Sequence, residues 1–198
     1  MLKVIQEILE AEAEAIRGIP ADNPYQECAA LFIETARGGG KVVVSGVGKA
    51  GEIGRKIAAT FCSVGVPSVF LHPLEAQHGD LGMLHANDVM LLISNSGKTR
   101  KILELASLSR RMHLFFRLVT LTGNRDSLLV MMSNLVLWNG NPKEVCPLGL
   151  TPTTSTTTMA VIGDILAVLI VRLSDYKADQ YALRHHSGYL GEKAKSTL

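Results

Sequence analysis

Residues 88–101 read DVMLLISNSGKTRK. Val89, Met90, Leu91, Leu92 and Ile93 form an apolar run of strand length. Ser94, Asn95, Ser96 and Gly97 then switch abruptly to small hydroxyl, amide and glycine. From Thr99 onward the apolar positions Ile102, Leu105, Ala106 and Leu108 fall at helical spacing. A buried strand that ends in hydroxyls and glycine and turns into a helix gathers free backbone N–H groups at one point. Such a point binds anions, most often a phosphate.

The same unit recurs on either side. Val42 to Val44 reads as a buried strand, followed by a glycine-rich turn and a helix over about Ala50 to Val64; Ser68 to Leu71 is a short second strand. A loop carrying His72, Glu75, His78, Gly79, Asp80 and Gly82 leads into the opening stretch, whose helix runs to about Met112. Phe116 to Leu121 is a fourth strand and Asn134 to Leu137 a fifth, with a short helix from about Ser127 between them. Upstream, Leu2 to Arg17 has the pattern of an amphipathic helix, and Tyr25 to Ala36 of a second. Downstream, Asn139 to Pro152 reads as a loop, Thr153 to Leu173 as a long apolar helix and Lys177 to Arg184 as a short one. Continuous apolar runs alternating with helices argue an α/β fold, a three-layer sandwich around a five-stranded parallel sheet. Ligands of such sheets sit beyond the carboxyl ends of the strands, where every glycine and hydroxyl cluster here falls. One domain over 1–198 is expected: helices of 1–37 on a sheet core of 41–173, then a C-terminal segment 174–198.

Composition narrows the partners. The 198 residues are 47% hydrophobic and 19% charged, with a net charge of +2 and no Lys/Arg tract, which argues against nucleic acid. Cys28, Cys62 and Cys146 are widely spaced, without a CxxC pair, as in a reducing compartment. The N-terminus lacks a basic n-region and a cleavage signature. Thr158 to Leu173 reads as too short and, with Asp164 and Arg172, too polar to span a bilayer. A cytoplasmic protein that does not bind membranes is expected.

Two further clusters bear on the site. Ser45-Gly46-Val47-Gly48-Lys49-Ala50-Gly51 contains GxGxxG between a strand and a helix, the context of a dinucleotide site. Against an NAD(P)-dependent enzyme, the second strand ends in Leu71-His72-Pro73 with no acid for the ribose, although Glu75 lies nearby. Lys49 also places a cation inside the turn. Thr151 to Thr158 opens the long helix with more β-branched hydroxyl residues than a helix interior favours, so they face a polar site or a neighbouring subunit. His72, His78 and His85 are spaced by six and seven residues, which matches no tight metal motif, and no metal is expected.

The segments VVVSGVGKAGEIGRKIAATFCSVGVPSVFLHPLEAQHGDLGML, ISNSGKT, KEVCPLGLTPTTSTT and YALRHHSGYLGEK together resemble the sugar isomerase (SIS) domain family. Within it the chain looks like the arabinose-5-phosphate isomerases, in a single-domain form without the CBS modules usual there. The resemblance implies a flavodoxin-like SIS fold and a cofactor-free aldose–ketose isomerase. It would interconvert D-ribulose 5-phosphate and D-arabinose 5-phosphate through an enediol, for Kdo (3-deoxy-D-manno-octulosonate) synthesis toward lipopolysaccharide or capsule. It also implies roles for residues. Ser94, Asn95, Ser96 and Thr99 would seat the phosphate, with Ser45, Gly46 and Gly48 adjoining and His78, Thr153 and Thr154 contributing to substrate binding. Lys49, Glu144 and His185 would be catalytic, with His185 reaching a neighbouring subunit's site in a homo-oligomer, expected to be a tetramer.

One departure bears on activity. Lys101 stands where the family has a catalytic glutamate, and Lys98 replaces a common Glu. A sugar-phosphate-binding regulator without catalysis is therefore the competing reading, with Glu104 a candidate substitute carboxylate. The added positive charge also suggests nucleotide-activated Kdo as a feedback ligand.

Overall fold

The computed structural model describes residues 1–195. Its sheet contains β1 (Val42–Gly46), β2 (Ser68–Phe70), β3 (Val89–Ile93), β4 (Arg117–Thr122) and β5 (Leu135–Trp138), all parallel, in the order β2-β1-β3-β4-β5. The chain order reverses between β1 and β3, which makes that gap the topological switch point.

Successive residues of a strand point to opposite faces, so an unbroken apolar run needs cover on both. Val42 and Val44 of β1 and Val89, Leu91 and Ile93 of β3 pack in one core, against α2 (Tyr25–Arg37), α3 (Lys49–Ser63) and α7 (Thr154–Ser174). Val43, Met90 and Leu92 enter the other core, with Leu71, Ile102, Leu105 and Leu129. That side carries α4 (Pro73–Ala76), α5 (Arg100–Met112) and α6 (Leu128–Met131).

The expected architecture is present, with local differences. β1 runs two residues past Val44, because Ser45 and Gly46 keep pairing opposite Leu92 and Ile93. The loop after β2 contains α4, started by Pro73 and capped by the His72 ring, whose Nδ1 accepts from the Leu74 N–H at 3.3 Å. A 3-10 turn follows at Asp80–Met83. The C-terminal segment forms α8 (Ala178–Ala182) and α9 (Gly188–Lys195); the last three residues of the expected 174–198 unit lie outside the described residues.

α7 is 21 residues long and, by length and composition alone, could cross a membrane, contrary to the expectation from sequence. Its packing accounts for the apolar residues differently: Ile162, Leu166 and Ile170 are fully buried in the core with Phe32 and Phe61. By contrast, α1 (Leu2–Arg17) buries no residue completely, and only its C-terminal half leans on α7.

At the opposite edge from the carboxyl ends, Asp88 immediately precedes β3 and is almost fully buried. It accepts from Lys41 Nζ at 2.6 Å, the Lys41 N–H at 2.9 Å and the His85 N–H at 2.8 Å.

Candidate active site

Because the strands end in step, the segments after β1, β3, β4 and β5 converge on one cavity of about 1260 Å³ at the switch point. The loop after β3 is its floor. Gly97 takes φ +61°, and any Cβ there would overlap the Ser127 side chain, so only glycine lets the backbone lie this close. Ser94 Oγ and Thr99 Oγ1 bond to each other at 2.9 Å, while Ser96 Oγ accepts from the Lys98 N–H at 3.2 Å. Thr99 precedes α5 yet makes no side-chain cap, so ordinary helix capping does not consume the hydroxyls. The Ile102 N–H turns back to the Thr99 carbonyl at 3.0 Å, while the Arg100 and Lys101 N–H groups ahead of it, without a bond among the described residues, are open to an anion.

Asparagines tie this floor to the neighbouring strands. The Asn95 carbonyl accepts from the Gly123 N–H at 3.0 Å and from Thr122 Oγ1 at 3.2 Å, and its Oδ1 accepts from Asn139 Nδ2 at 2.9 Å. A Cβ on Gly123 would strike Asn95, Asn139 and Asn141 together. Beside them the Arg125 guanidinium stacks on Trp138, 4.1 Å from the ring centroid, and the Trp138 Nε1–H is held by the Gly123 carbonyl at 3.1 Å. Asn95 was expected at the site, whereas Arg125, Trp138 and Asn139 were not. The rule that every strand's carboxyl end meets there could have nominated them, since Arg125 lies in the loop after β4, Trp138 closes β5 and Asn139 directly follows it.

Lys49, the first residue of α3, lines the cavity and lies exposed. Lys98, Arg125 and Lys143 join it against Glu144 and Asp126. None of these four cations forms an ion pair among the described residues. The cavity is therefore electropositive beside a helix N-terminus.

Glu144 closes the opposite wall. Its Oε2 accepts from the Thr153 N–H at 2.7 Å, Thr153 Oγ1 at 3.0 Å and the Ser155 N–H at 3.3 Å, at the N-terminus of α7. Burial pushes this carboxyl up, but the donors of Ser155 and Thr153 outweigh it and hold the group below the usual glutamate range. Cys146 lies nearby, its thiol lowered to about 7 by the Thr151 hydroxyl and the N–H groups of Thr151, Leu148 and Leu150.

Other expected site residues fall elsewhere within one chain. Ser45 is fully buried, off the cavity and without a hydrogen-bond partner among the described residues. Gly46 and Gly48 shape the β1–α3 turn: a Cβ on Gly46 would press on Ala50, and Gly48 takes φ +59°. Neither glycine lines the cavity. Thr153 holds Glu144, and Thr154 donates to Glu12 Oε1 at 2.8 Å; the helix residues that do face the cavity are Ser155, Thr156 and Met159. His78 is exposed on the loop after α4. His185 stacks on Tyr181, with 3.8 Å between ring centroids, beside Cys62 and Ser63 at the far end of α3. From Lys49 to Ser63, α3 is about 21 Å long, so His185 sits at the other end of that helix from the cavity.

Lys101 does not line the cavity. Its Nζ bonds Gln77 Oε1 at 3.2 Å and Glu104 Oε2 at 3.0 Å, and Arg100 holds Glu104 Oε1 at 2.6 Å. Lys101 and Arg100 pull Glu104 down to about 2, so it is committed to them and is no substitute carboxylate for the cavity.

A doubly wound parallel sheet with an electropositive, hydroxyl-floored cavity at its switch point defines an anion-binding α/β domain. The chain belongs to the SIS domain family, whose profile matches residues 37–169. It is 48% identical over 154 residues to arabinose 5-phosphate isomerase KdsD of Shigella flexneri, covering 78% of this chain and 46% of that protein. Against KdsD of Salmonella typhi it is 43% identical over 191 residues, 95% of this chain and 56% of the other. The chain thus spans about half the length of these relatives. Among solved structures, a Bacteroides fragilis NCTC 9343 protein, provisionally described as a phosphosugar isomerase involved in capsule formation, is 52% identical with a TM-score of 0.93, over 96% of this chain and 99% of that one. An Escherichia coli CFT073 protein in complex with arabinose 5-phosphate is 38% identical with a TM-score of 0.82, over 93% and 96%.

Proposed function

We propose that this chain is a cytoplasmic aldose–ketose isomerase for D-arabinose 5-phosphate and D-ribulose 5-phosphate, working for Kdo synthesis toward lipopolysaccharide or capsule. The observation that carries the reading is the pairing of an uncapped helix N-terminus and unpaired cations with one anchored carboxylate across the cavity. The phosphate sits on the Ser94–Thr99 loop, which leaves the sugar's C1–C2 end toward Glu144. Glu144, anchored by Thr153 and Ser155 and lining the cavity, is the base. It takes the proton from C2 of the open-chain aldose while O1 gains a proton, giving an enediol. Return of the proton to C1, with loss of the proton from O2, yields the ketose. Lys49 stabilises charge on the enediolate oxygens. The carboxylate stays ionised through neutral pH because its donors hold it low.

Reading His185 as a catalytic group requires a second subunit, since its own cavity is out of reach; a homo-oligomer, a tetramer in the family pattern, follows. The cavity exceeds the usual range of about 300–1,000 Å³ for small-molecule sites, which leaves room for a nucleotide-activated Kdo as an inhibitor.

Incubating arabinose 5-phosphate with the protein in deuterium oxide and following C1 and C2 by NMR tests the reading. Exchange and ketose formation are expected, and both should vanish in Glu144→Gln while binding persists. Tight binding by the wild type with no exchange would leave the non-catalytic regulator as the answer.

A further inference from the structure

The geometry points to Glu12, on the N-terminal helix α1, as a positioning residue for Glu144, a role that rests on the isomerase reading above. From residue 139 to residue 153 the chain has neither helix nor strand, yet this stretch carries the carboxylate that the reaction needs at a fixed place. A base displaced by about 1 Å can lose about a hundredfold in rate, so the stretch has to be held. Glu144 itself is held at the start of α7, by Thr153 and Ser155.

The next residue is held there too, by a relay that begins on α1. The Val145 N–H donates to Thr154 Oγ1 at 3.1 Å, and Thr154 Oγ1 donates to Glu12 Oε1 at 2.8 Å. A hydroxyl has one proton, so the acceptor on Glu12 decides where it points. With that proton committed to Glu12, the lone pairs of Thr154 Oγ1 are left for the Val145 N–H. Thr154 is 1% exposed, so water has little access to either bond. Without Glu12 the hydroxyl must find another acceptor, which loosens its hold on Val145.

Glu12 Oε2 is a second observation. It is buried and has no hydrogen-bond partner among the described residues. A buried acceptor without a donor costs stability, so a carboxylate is a poor choice for packing α1 alone. It makes sense as a fixed acceptor for Thr154. Two further contacts of the N-terminal segment run the same way. The Asn23 side chain pairs with the Trp138 backbone, accepting from its N–H at 2.9 Å and donating to its carbonyl at 2.9 Å. Gly140 takes φ +87°, and a Cβ there would strike the Gly18 carbonyl. Glu12, Gly18 and Asn23 thus meet the chain at Thr154, Gly140 and Trp138, on both sides of Glu144. This brace comes from outside the stretch that the family profile matches, residues 37–169.

Steady-state kinetics with arabinose 5-phosphate, paired with hydrogen–deuterium exchange, test the assignment on the full chain. Glu12→Ala should lower kcat about ten- to a hundredfold and change KM less than about twofold, because the phosphate is held at the other wall. Exchange at the Val145 N–H should quicken about tenfold. Glu12→Gln, which keeps the acceptor oxygen, should retain wild-type kcat and exchange. Thr154→Val should match Glu12→Ala, and the double variant should lose no more than either, because both cut one relay. Glu12 is only half-buried, so the circular dichroism spectrum of its variants should not change. Wild-type turnover in Glu12→Ala overturns the proposal, as does a KM that rises in step with the fall in kcat. An equal loss in Glu12→Gln overturns it also, since the acceptor would then not be what matters. If the wild type does not isomerise at all, the isomerase reading fails by itself and exchange alone decides. Faster exchange at Val145 in Glu12→Ala then upholds the brace, and unchanged exchange overturns it.

Discussion

Glu144 holds two positions at once: its carboxylate accepts the donors at the start of α7 and also lines the cavity. Its native pKa lies below its unfolded one, so its contribution to stability is present above the ordinary glutamate value of about 4.3. That contribution is lost as pH falls through the lowered native value. Denaturant midpoints measured across this acidic window should therefore fall more steeply for the wild type than for Glu144→Gln. Cys146 gives a second expectation at this scale. With its thiol near 7 it should react with iodoacetamide at neutral pH, whereas buried Cys28, pushed up to about 12, should not. Peptide mass spectrometry reads both, and arabinose 5-phosphate should protect Cys146, which lines the cavity.

Elements meet at two places where single changes should be costly. Gly97→Ala forces a Cβ into Ser127 at a left-handed backbone position, and should cost about 2–3 kcal/mol as well as disturb the loop after β3. At the other end of β3, Asp88→Ala removes the acceptor of two backbone N–H groups and the Lys41 ammonium. A loss of about 3 kcal/mol is expected in urea unfolding, with the slope unchanged, because a buried partner is left uncompensated. The helix boundaries were legible wherever an apolar period ran several turns: α1 runs over the residues expected, and β3 likewise. They were not legible between β2 and β3, where Pro73 and a histidine cap start a helix of one turn, too short to show a period.

At the scale of the whole molecule, ligand binding to the folded chain alone should raise its melting temperature. At a hundred times the dissociation constant, arabinose 5-phosphate should add about 2.7 kcal/mol, a shift of roughly 5–10 °C for a chain of this length. Arabinose without the phosphate should do far less, and a nicotinamide dinucleotide should give no shift; a larger shift from the dinucleotide would revive the GxGxxG reading.

Sequence alone determined the alternation of buried strands and helices, the two glycine-hydroxyl loops and the family, because these depend on local periodicity, turn chemistry and contiguous motifs. Tertiary structure decided which side chains share the cavity. Strand register brought Arg125 and Trp138 to the cavity beside Asn95 and set Asn139 on the Asn95 side chain, from 30 to 44 positions away in the chain, where no local pattern links them. It turned Ser45 into the sheet, gave Thr153 to Glu144 and took Lys101 toward Gln77. A one-residue step reverses a strand side chain and turns a helical one by about 100°, so neighbours in the sequence commonly face different surroundings.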